Sequence, residues 1–221
     1  QKRRRHGIPI NMQSTFATQT LQILEIIGTV AFGASGLIAA ARKKLDMVGV
    51  VLLVLVTAFG GGTLRDLLLN RHPFFWMTNE IWIWLLAALA ISTQFLVKAR
   101  NVELSAKAID WPDAIGLGVF AASGTQIALT AGHSALIASI MGVITAAFGG
   151  LIRDVLIAEI PGLVNDHQLY ASLAFVGGLF IWLLEYLTID PTIATLTGAL
   201  AIIITRIIAM RLGWKLPAWR N

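Results

Sequence analysis

Two short motifs join a glycine cluster to a charged pair. The first reads Phe59-Gly60-Gly61-Gly62-Thr63 and is followed by Arg65-Asp66. The second reads Phe148-Gly149-Gly150-Leu151 and is followed by Arg153-Asp154. Each glycine costs a helix interior about 0.8–1.0 kcal/mol relative to alanine, so a cluster invites a kink or an unwound turn. If such a turn lies in lipid, its freed backbone groups must face protein or a water-filled cavity. Carbonyls at the end of one half-helix suit a cation, and N–H groups at the start of the next suit an anion. The alternative is that the glycines only let two helices pack closely. The Arg-Asp pairs read either as charged rings or ion-paired latches at the mouths of a pore, or as arginines reaching from helix ends to the interface. Ser35, Ser123, Thr57, Thr63 and Thr145 lie near the motifs, where a hydroxyl can line a wet path or bond back to its own helix. Glu25 and Asp113 are expected to begin their helices and to favour the positive end of the helix dipole. Arg206 lies inside an apolar segment with no evident partner.

Other chemistries find no residues. His6, His72, His133 and His167 show no metal-ligand spacing, and there is no nucleotide-binding loop, no catalytic triad and no HExxH. No enzymatic activity, cofactor or resident metal is expected. With no cysteine in the chain, disulfides and thiolate metal sites are excluded.

The elements that position these residues are long apolar helices. The chain has 221 residues, of which 57% are hydrophobic and 13% charged, and its mean hydropathy is +0.76. Soluble domains average about 45–50% apolar and about 25% charged, so the departure is toward lipid. Apolar run length predicts helices over 21–41, 46–70, 80–99, 111–131, 135–158, 168–188 and 191–212. Short polar breaks separate them, such as Arg42-Lys43-Lys44, Arg71-His72-Pro73 and Asp190-Pro191. The first apolar stretch is of full span length and reads as retained rather than as a cleaved leader. Trp76, Trp82, Trp84, Trp182, Trp214 and Trp219 fall mostly near span ends, as an interfacial belt does. The formal net charge of +5 resides in loops and tails, so it reads as topology rather than as a nucleic-acid face. With the N-terminus outside, Arg42, Lys43, Lys44, Lys98, Arg100, Lys107, Arg211, Lys215 and Arg220 fall inside. Arg71 and the four charges of the tail (Lys2, Arg3, Arg4 and Arg5) fall outside. That bias places the C-terminus in the cytoplasm of a prokaryotic cell and the chain in its inner membrane.

Shifted by 88 residues, the chain matches itself without a gap. Glu25 falls on Asp113, Gly28 on Gly116, Phe32 on Phe120, and Ala34-Ser35-Gly36 on Ala122-Ser123-Gly124. Thr57-Ala58 falls on Thr145-Ala146, Gly61-Gly62 on Gly149-Gly150, Arg65-Asp66 on Arg153-Asp154, and Pro73 on Pro161. Three spans per unit is an odd number, so the second unit is expected to enter the membrane upside down, with a solute path near the midplane between the units. The expected fold is therefore an all-α integral membrane protein of seven transmembrane helices. Its divisions are a tail over 1–20, one three-helix repeat over 21–107, an inverted repeat over 108–190, and a seventh helix with its tail over 191–221.

The segments AFGGGTLRDLLL at 58–69 and TAAFGGLIRDVLI at 145–157, with the 3+3+1 plan, resemble the prokaryotic TRIC family of trimeric intracellular cation channels. The resemblance implies a homotrimer in membrane lipid, with potassium as the permeant ion and one pore per subunit between the two repeats. It places the family's kinks at Gly60, Gly61, Gly62, Gly149 and Gly150, in pore-lining second and fifth helices. Animal members carry a Lys-Glu-Val motif that this chain lacks, so their voltage and lipid regulation does not carry over. Some bacterial relatives are described as glycine transporters, which keeps a small-solute carrier as the second reading.

Overall fold

The computed structural model describes residues 10–100, 106–165 and 169–215. The basic tail over 1–6, His167, Trp219 and Arg220 lie outside the described residues. The fold is all-helical, with no β-strand among the described residues. In chain order the helices are α1 (Ile10–Arg42), α2 (Met47–Leu68), α3 (Phe75–Thr78), α4 (Ile81–Arg100), α5 (Asp110–Thr130), α6 (Ala135–Leu156), α7 (Gly162–Asn165), α8 (Ala171–Tyr186) and α9 (Pro191–Leu212). The seven long ones fall on the seven expected stretches, with α1 starting well before its apolar run.

Local chemistry sets their ends. Asp46 accepts a bond from the Gly49 N–H at 2.7 Å to start α2, and Ser134 accepts one from the Ile137 N–H at 3.4 Å to start α6. These caps stand at the same position of the 88-residue register. Asp190 caps α9 through the Thr192 and Ile193 N–H groups, with Pro191 behind it. Gly213 takes a φ of 65° and ends α9 in the left-handed conformation that glycine adopts without strain.

Four segments are long and apolar enough to cross a bilayer: Ala17–Arg42, Met47–Leu68, Ala135–Leu156 and Pro191–Leu212. Ile81–Thr93 and Ala171–Tyr186 are shorter apolar helices. α5 differs in kind. It is buried along most of its length against α1, α6, α8 and α9, and it carries Asp110, Asp113 and Gln126. A helix sheathed by other helices can hold such groups because they meet protein instead of lipid. The outer helices present apolar stripes: Ile193, Leu196, Leu200, Ile204 and Ile208 on α9, and Ile23, Ile27 and Val30 on α1. A surface of that kind belongs against lipid or another subunit.

α1 corrects the expected start at residue 21. It begins at Ile10 and runs 33 residues, about 50 Å at 1.5 Å per residue, well beyond a bilayer core of ~30 Å. Glu25 therefore sits in the middle of α1 and cannot cap its N-terminus. The early start also puts the four tail charges nearer to the helix than the apolar run implied. Asp113 does fall in the first turn of α5, as expected.

The core lies where α1, α2, α5 and α6 meet. α2 and α6 cross antiparallel, since Gly61 abuts Thr145 while Gly149 abuts Thr57. α1 and α5 also cross antiparallel, with Gly28 against Phe120 and Gly116 against Phe32. The Phe32 and Phe120 rings stack between them at 5.3 Å. At the surface, Glu159 beyond α6 bonds Lys43 beyond α1 at 2.9 Å, with Arg42 at 3.9 Å. That hydrogen bond from Lys43 holds the Glu159 carboxyl below the usual carboxylate range.

Candidate functional site between two helix crossings

Helix continues through both glycine clusters, which removes the expected unwound turn. α2 and α6 are helical across Gly60–Gly62 and Gly149–Gly150. The glycines are instead the contact itself. A Cβ on Gly61 would be driven into the Thr145 carbonyl oxygen, and one on Gly149 into the Thr57 carbonyl oxygen. Only glycine lets these backbones approach so closely. Gly62 and Gly150 turn the other way, toward Glu25 and Arg65 and toward Asp113 and Arg153. Gly60 meets only the tip of Ile152 at 3.4 Å and the Gly149 Cα at 3.8 Å.

Beyond the crossing, each helix carries its arginine in the opposite direction. In the antiparallel register, residue 53 of α2 lies opposite Arg153, so the two arginines are about 18 Å apart along the axis. Arg65 is 1% exposed, which excludes reaching out to an interface. Its Nη1 donates to Glu25 of α1, and its Nε donates to Asp66 at 2.8 Å. Arg71 reaches Asp66 from the rim at 3.3 Å. Arg153 repeats the plan. It donates to Asp113 of α5 at 2.7 Å, to Asp154 at 2.8 Å and to Ser35 of α1. Asp154 also accepts the Gly162 N–H at 3.2 Å, tying in α7.

Each guanidinium is thus held by two carboxylates. At formal charges, Arg153 with Asp113 and Asp154 sums to −1; Arg65 with Glu25 and Asp66 also sums to −1, and Arg71 at the rim brings that network to zero. Neither buried arginine alone cancels its acidic neighbours, because a second carboxylate comes from the helix packed against it. Glu25 and Asp113 are therefore partners in these networks.

A cavity adjoins each network. The one beside Arg153 measures about 60 Å³ and is lined by Asp110, Asp113, Ala147, Gly150, Asp154, Tyr170 and Arg206 among others. The one beside Glu25 measures about 10 Å³ and is lined by Glu25, Thr29, Phe59, Gly62, Thr63, Phe75, Trp76 and Phe120. A water needs roughly 10–15 Å³ of such volume, so the larger holds about four to six and the smaller about one. Phe32 and Phe120 stand between them. Their matching positions were evident in the sequence, but nothing there marked them as a barrier.

The hydroxyls divide. Thr57 and Thr145 donate to the Leu53 and Met141 carbonyls of their own helices, each at 2.6 Å. Thr63 donates to the Phe59 carbonyl at 2.8 Å and accepts from Trp76 Nε1 at 3.1 Å. Ser35 serves Arg153, whereas Ser123 has only a 3.4 Å bond to the Phe120 carbonyl. Arg206 is buried with its guanidinium 5.1 Å from the Tyr170 ring centre. No cluster of metal-ligating side chains occurs among the described residues.

The two serines occupy equivalent positions but unequal roles, which gives a test. Ser35→Ala removes a hydrogen bond to a buried cation, worth about 1.5–3 kcal/mol. Ser123→Ala removes a long, neutral bond and is expected to cost under about 1 kcal/mol. Thermal unfolding of the two variants in detergent measures the difference. Equal losses would refute the assignment of Ser35 to Arg153.

Known proteins match this arrangement over most of the chain. A family model described as "Glycine transporter" matches residues 22–98 and again 110–186, two segments in the same 88-residue register. A UPF0126 membrane protein of Vibrio cholerae is 37% identical over 210 residues, covering 95% of this chain and 87% of its own. The UPF0126 inner membrane protein YadS of Escherichia coli is 36% identical over 199 residues, covering 89% and 94%. The crystal structure of the TRIC trimeric intracellular cation channel orthologue from Rhodobacter sphaeroides superposes with a TM-score of 0.80 at 34% identity, covering 88% of this chain and 98% of that one. A structure reported for conductance through TRIC cation channels gives 0.78 at 35% identity, covering 90% and 97%.

Proposed function

Because the chain belongs to the prokaryotic TRIC family, with the UPF0126 membrane proteins it matches along most of its length, we propose that it is a cation channel permeable to potassium. In this reading each subunit conducts on its own, between two inverted three-helix repeats over 21–107 and 108–190. α9 is the accessory seventh span. The antiparallel crossings of α2 with α6 and of α1 with α5 support the inversion. So does the double match of the family model. α4, α5 and α8 complete the seven spans, with α5 sheathed by protein.

The observation that carries the reading is the pair of networks in which two carboxylates hold one buried arginine, beside two cavities that face away from one crossing in opposite directions. Acidic groups at both mouths raise the local cation concentration and repel anions. The path runs from one cavity past the Phe32–Phe120 stack and the Gly61–Gly149 contact to the other. Gly60, Gly62 and Gly150 lie along it, with Thr57, Thr145, Ser123 and Thr63. Opening requires α2 and α6 to shift at that contact. Glycines permit such a shift because they carry no side chain to interlock.

The trimer named for the Rhodobacter sphaeroides structure supports a homotrimer here, packed through the outward apolar stripes. The chain is a multi-pass inner-membrane protein in this reading, with the N-terminus outside and the C-terminus inside. The loop after α2 then faces out, and the loops after α1 and α6, joined by the Lys43–Glu159 pair, both face in.

A planar bilayer containing purified protein tests the function. Unitary potassium currents that need no second solute are expected. Saturable glycine uptake into vesicles without unitary events would replace the channel with a carrier, the activity that the family model's description suggests.

A further inference from the structure

The two ends of the proposed path are built on one plan but filled differently. At the second end, Ala147, Leu151 and Leu163 line the cavity, and Val164 points away, 65% exposed. The positions matching them in the first half are Phe59, Thr63, Phe75 and Trp76, and all four line the first-end cavity. Three of the four exchanges put an aromatic ring into the first-end cavity, which measures about 10 Å³ against about 60 Å³ at the second.

Trp76 is held in place. α3 carries it over the end of α2, and its indole N–H donates to Thr63 Oγ1. Thr63 is itself anchored to the Phe59 carbonyl. The Phe74 ring lies tilted against it at 6.0 Å, and His72 lies 4.8 Å from Phe74. Below the indole the cavity is walled mainly by apolar groups, with Glu25, Thr29 and Thr63 as its polar members. Glu25 contributes a carboxylate. Thr29 is fully buried, and its hydroxyl has no hydrogen-bond partner among the described residues. An unsatisfied buried hydroxyl facing a one-water space marks a place for a polar guest.

We propose that Trp76 is the closing residue of the path at its first end, seated over a single-ion or single-water site in which Glu25 and Thr29 present oxygen ligands to the passing cation. The indole blocks the site while its bond to Thr63 holds, and swinging α3 outward opens it. At the second end the matching short helix, α7, turns Val164 outward, so among the described residues no tryptophan lid covers the larger cavity. This rests on the channel reading above, and the test separates the two.

The chain contains no cysteine, so Thr29→Cys reports access to the site directly. In this background a water-soluble thiol reagent is expected to react slowly when Trp76 is present. Trp76→Ala is expected to speed the reaction tenfold or more, from the first-end side only, as ~1.4 kcal/mol of closure corresponds to a factor of ten. Trp76→Phe keeps a ring but loses the donor, and Thr63→Val loses the acceptor. Each should give an intermediate rate, and the two combined should add nothing further. In bilayers, Trp76→Ala should raise the mean potassium current per channel. If the wild type conducts but neither rate nor current responds to Trp76→Ala or Thr63→Val, Trp76 is no lid. If the wild type passes no unitary current, the channel reading fails, and the thiol rates still decide whether Trp76 closes the site. Should Trp76→Ala not fold, the rates with Trp76→Phe and Thr63→Val decide it. Equal acceleration from both sides would also overturn the proposal.

Discussion

Gly61→Ala and Gly149→Ala are each expected to abolish potassium flux and to destabilise the protein by about 3 kcal/mol, the upper end of overpacking costs. A methyl group at either position meets a backbone carbonyl, Thr145 or Thr57, and a backbone cannot swing aside as a side chain can. The two helices must separate, and the contacts around the Phe32–Phe120 stack separate with them. From the sequence alone, leucine at these positions is expected to stop flux with assembly retained. The geometry makes alanine sufficient and puts assembly at risk as well. Gly60→Ala is the control, because its Cβ makes only an ordinary contact with Ile152. It should be neutral or slightly stabilising, since alanine gains about 0.8–1.0 kcal/mol of helix propensity over glycine. Tryptophan fluorescence melts in detergent, with flux assays on the same preparations, measure all three. A Gly60→Ala variant as damaged as Gly61→Ala would mean that the cluster works through backbone freedom rather than through close approach.

Arg153→Met is expected to cost about 3–5 kcal/mol, because it strands the buried Asp113 and the partly buried Asp154 without their cation. Replacing Asp113 with leucine at the same time removes one of the stranded charges. The double variant should recover much of the loss, since exchanging a buried ion pair for apolar groups is often close to neutral. Flux should not recover with stability, because two of the charged groups that line the second-end cavity would be gone even though its net charge is kept. Thermal unfolding and bilayer current therefore part company in the double variant. If they rise and fall together, the network is only a structural tie.

Much of this was legible in the sequence. Apolar run length located all seven long helices, and the 88-residue register paired the residues that meet at the core. That register works because Gly, Arg-Asp and Pro matches are rare in apolar helices, whereas Leu and Ala matches are common. The start of α1 was not legible. Residues 10–20 are polar enough to end an apolar run, yet they continue the helix. That error carried Glu25 to a helix end, where capping seemed its natural role. Its partner Arg65 lies 40 residues away, and only the packing of α1 on α2 brings them together. The expected unwound turn at the glycines is absent for a similar reason. A glycine run weakens a lone helix, but here a second helix packed against the gap keeps the ladder intact. Neither Trp76 as a roof nor the Arg206–Tyr170 stack had any local signature, since both depend on short or unpaired helices folding back over the repeats.

The central claim is that cations pass between the two halves of each subunit, from the cavity at Thr29 to the cavity at Ala147. Single cysteines at Thr29, Ala147 and Leu200, in a chain otherwise free of cysteine, test this directly when the potassium current is recorded as a charged thiol reagent is added to either side. The account predicts that modification at Thr29 blocks from one side, that modification at Ala147 blocks from the other, and that the outward-facing Leu200 has no effect. Current that is indifferent to both cavity positions, or that is blocked equally through Leu200, would contradict it.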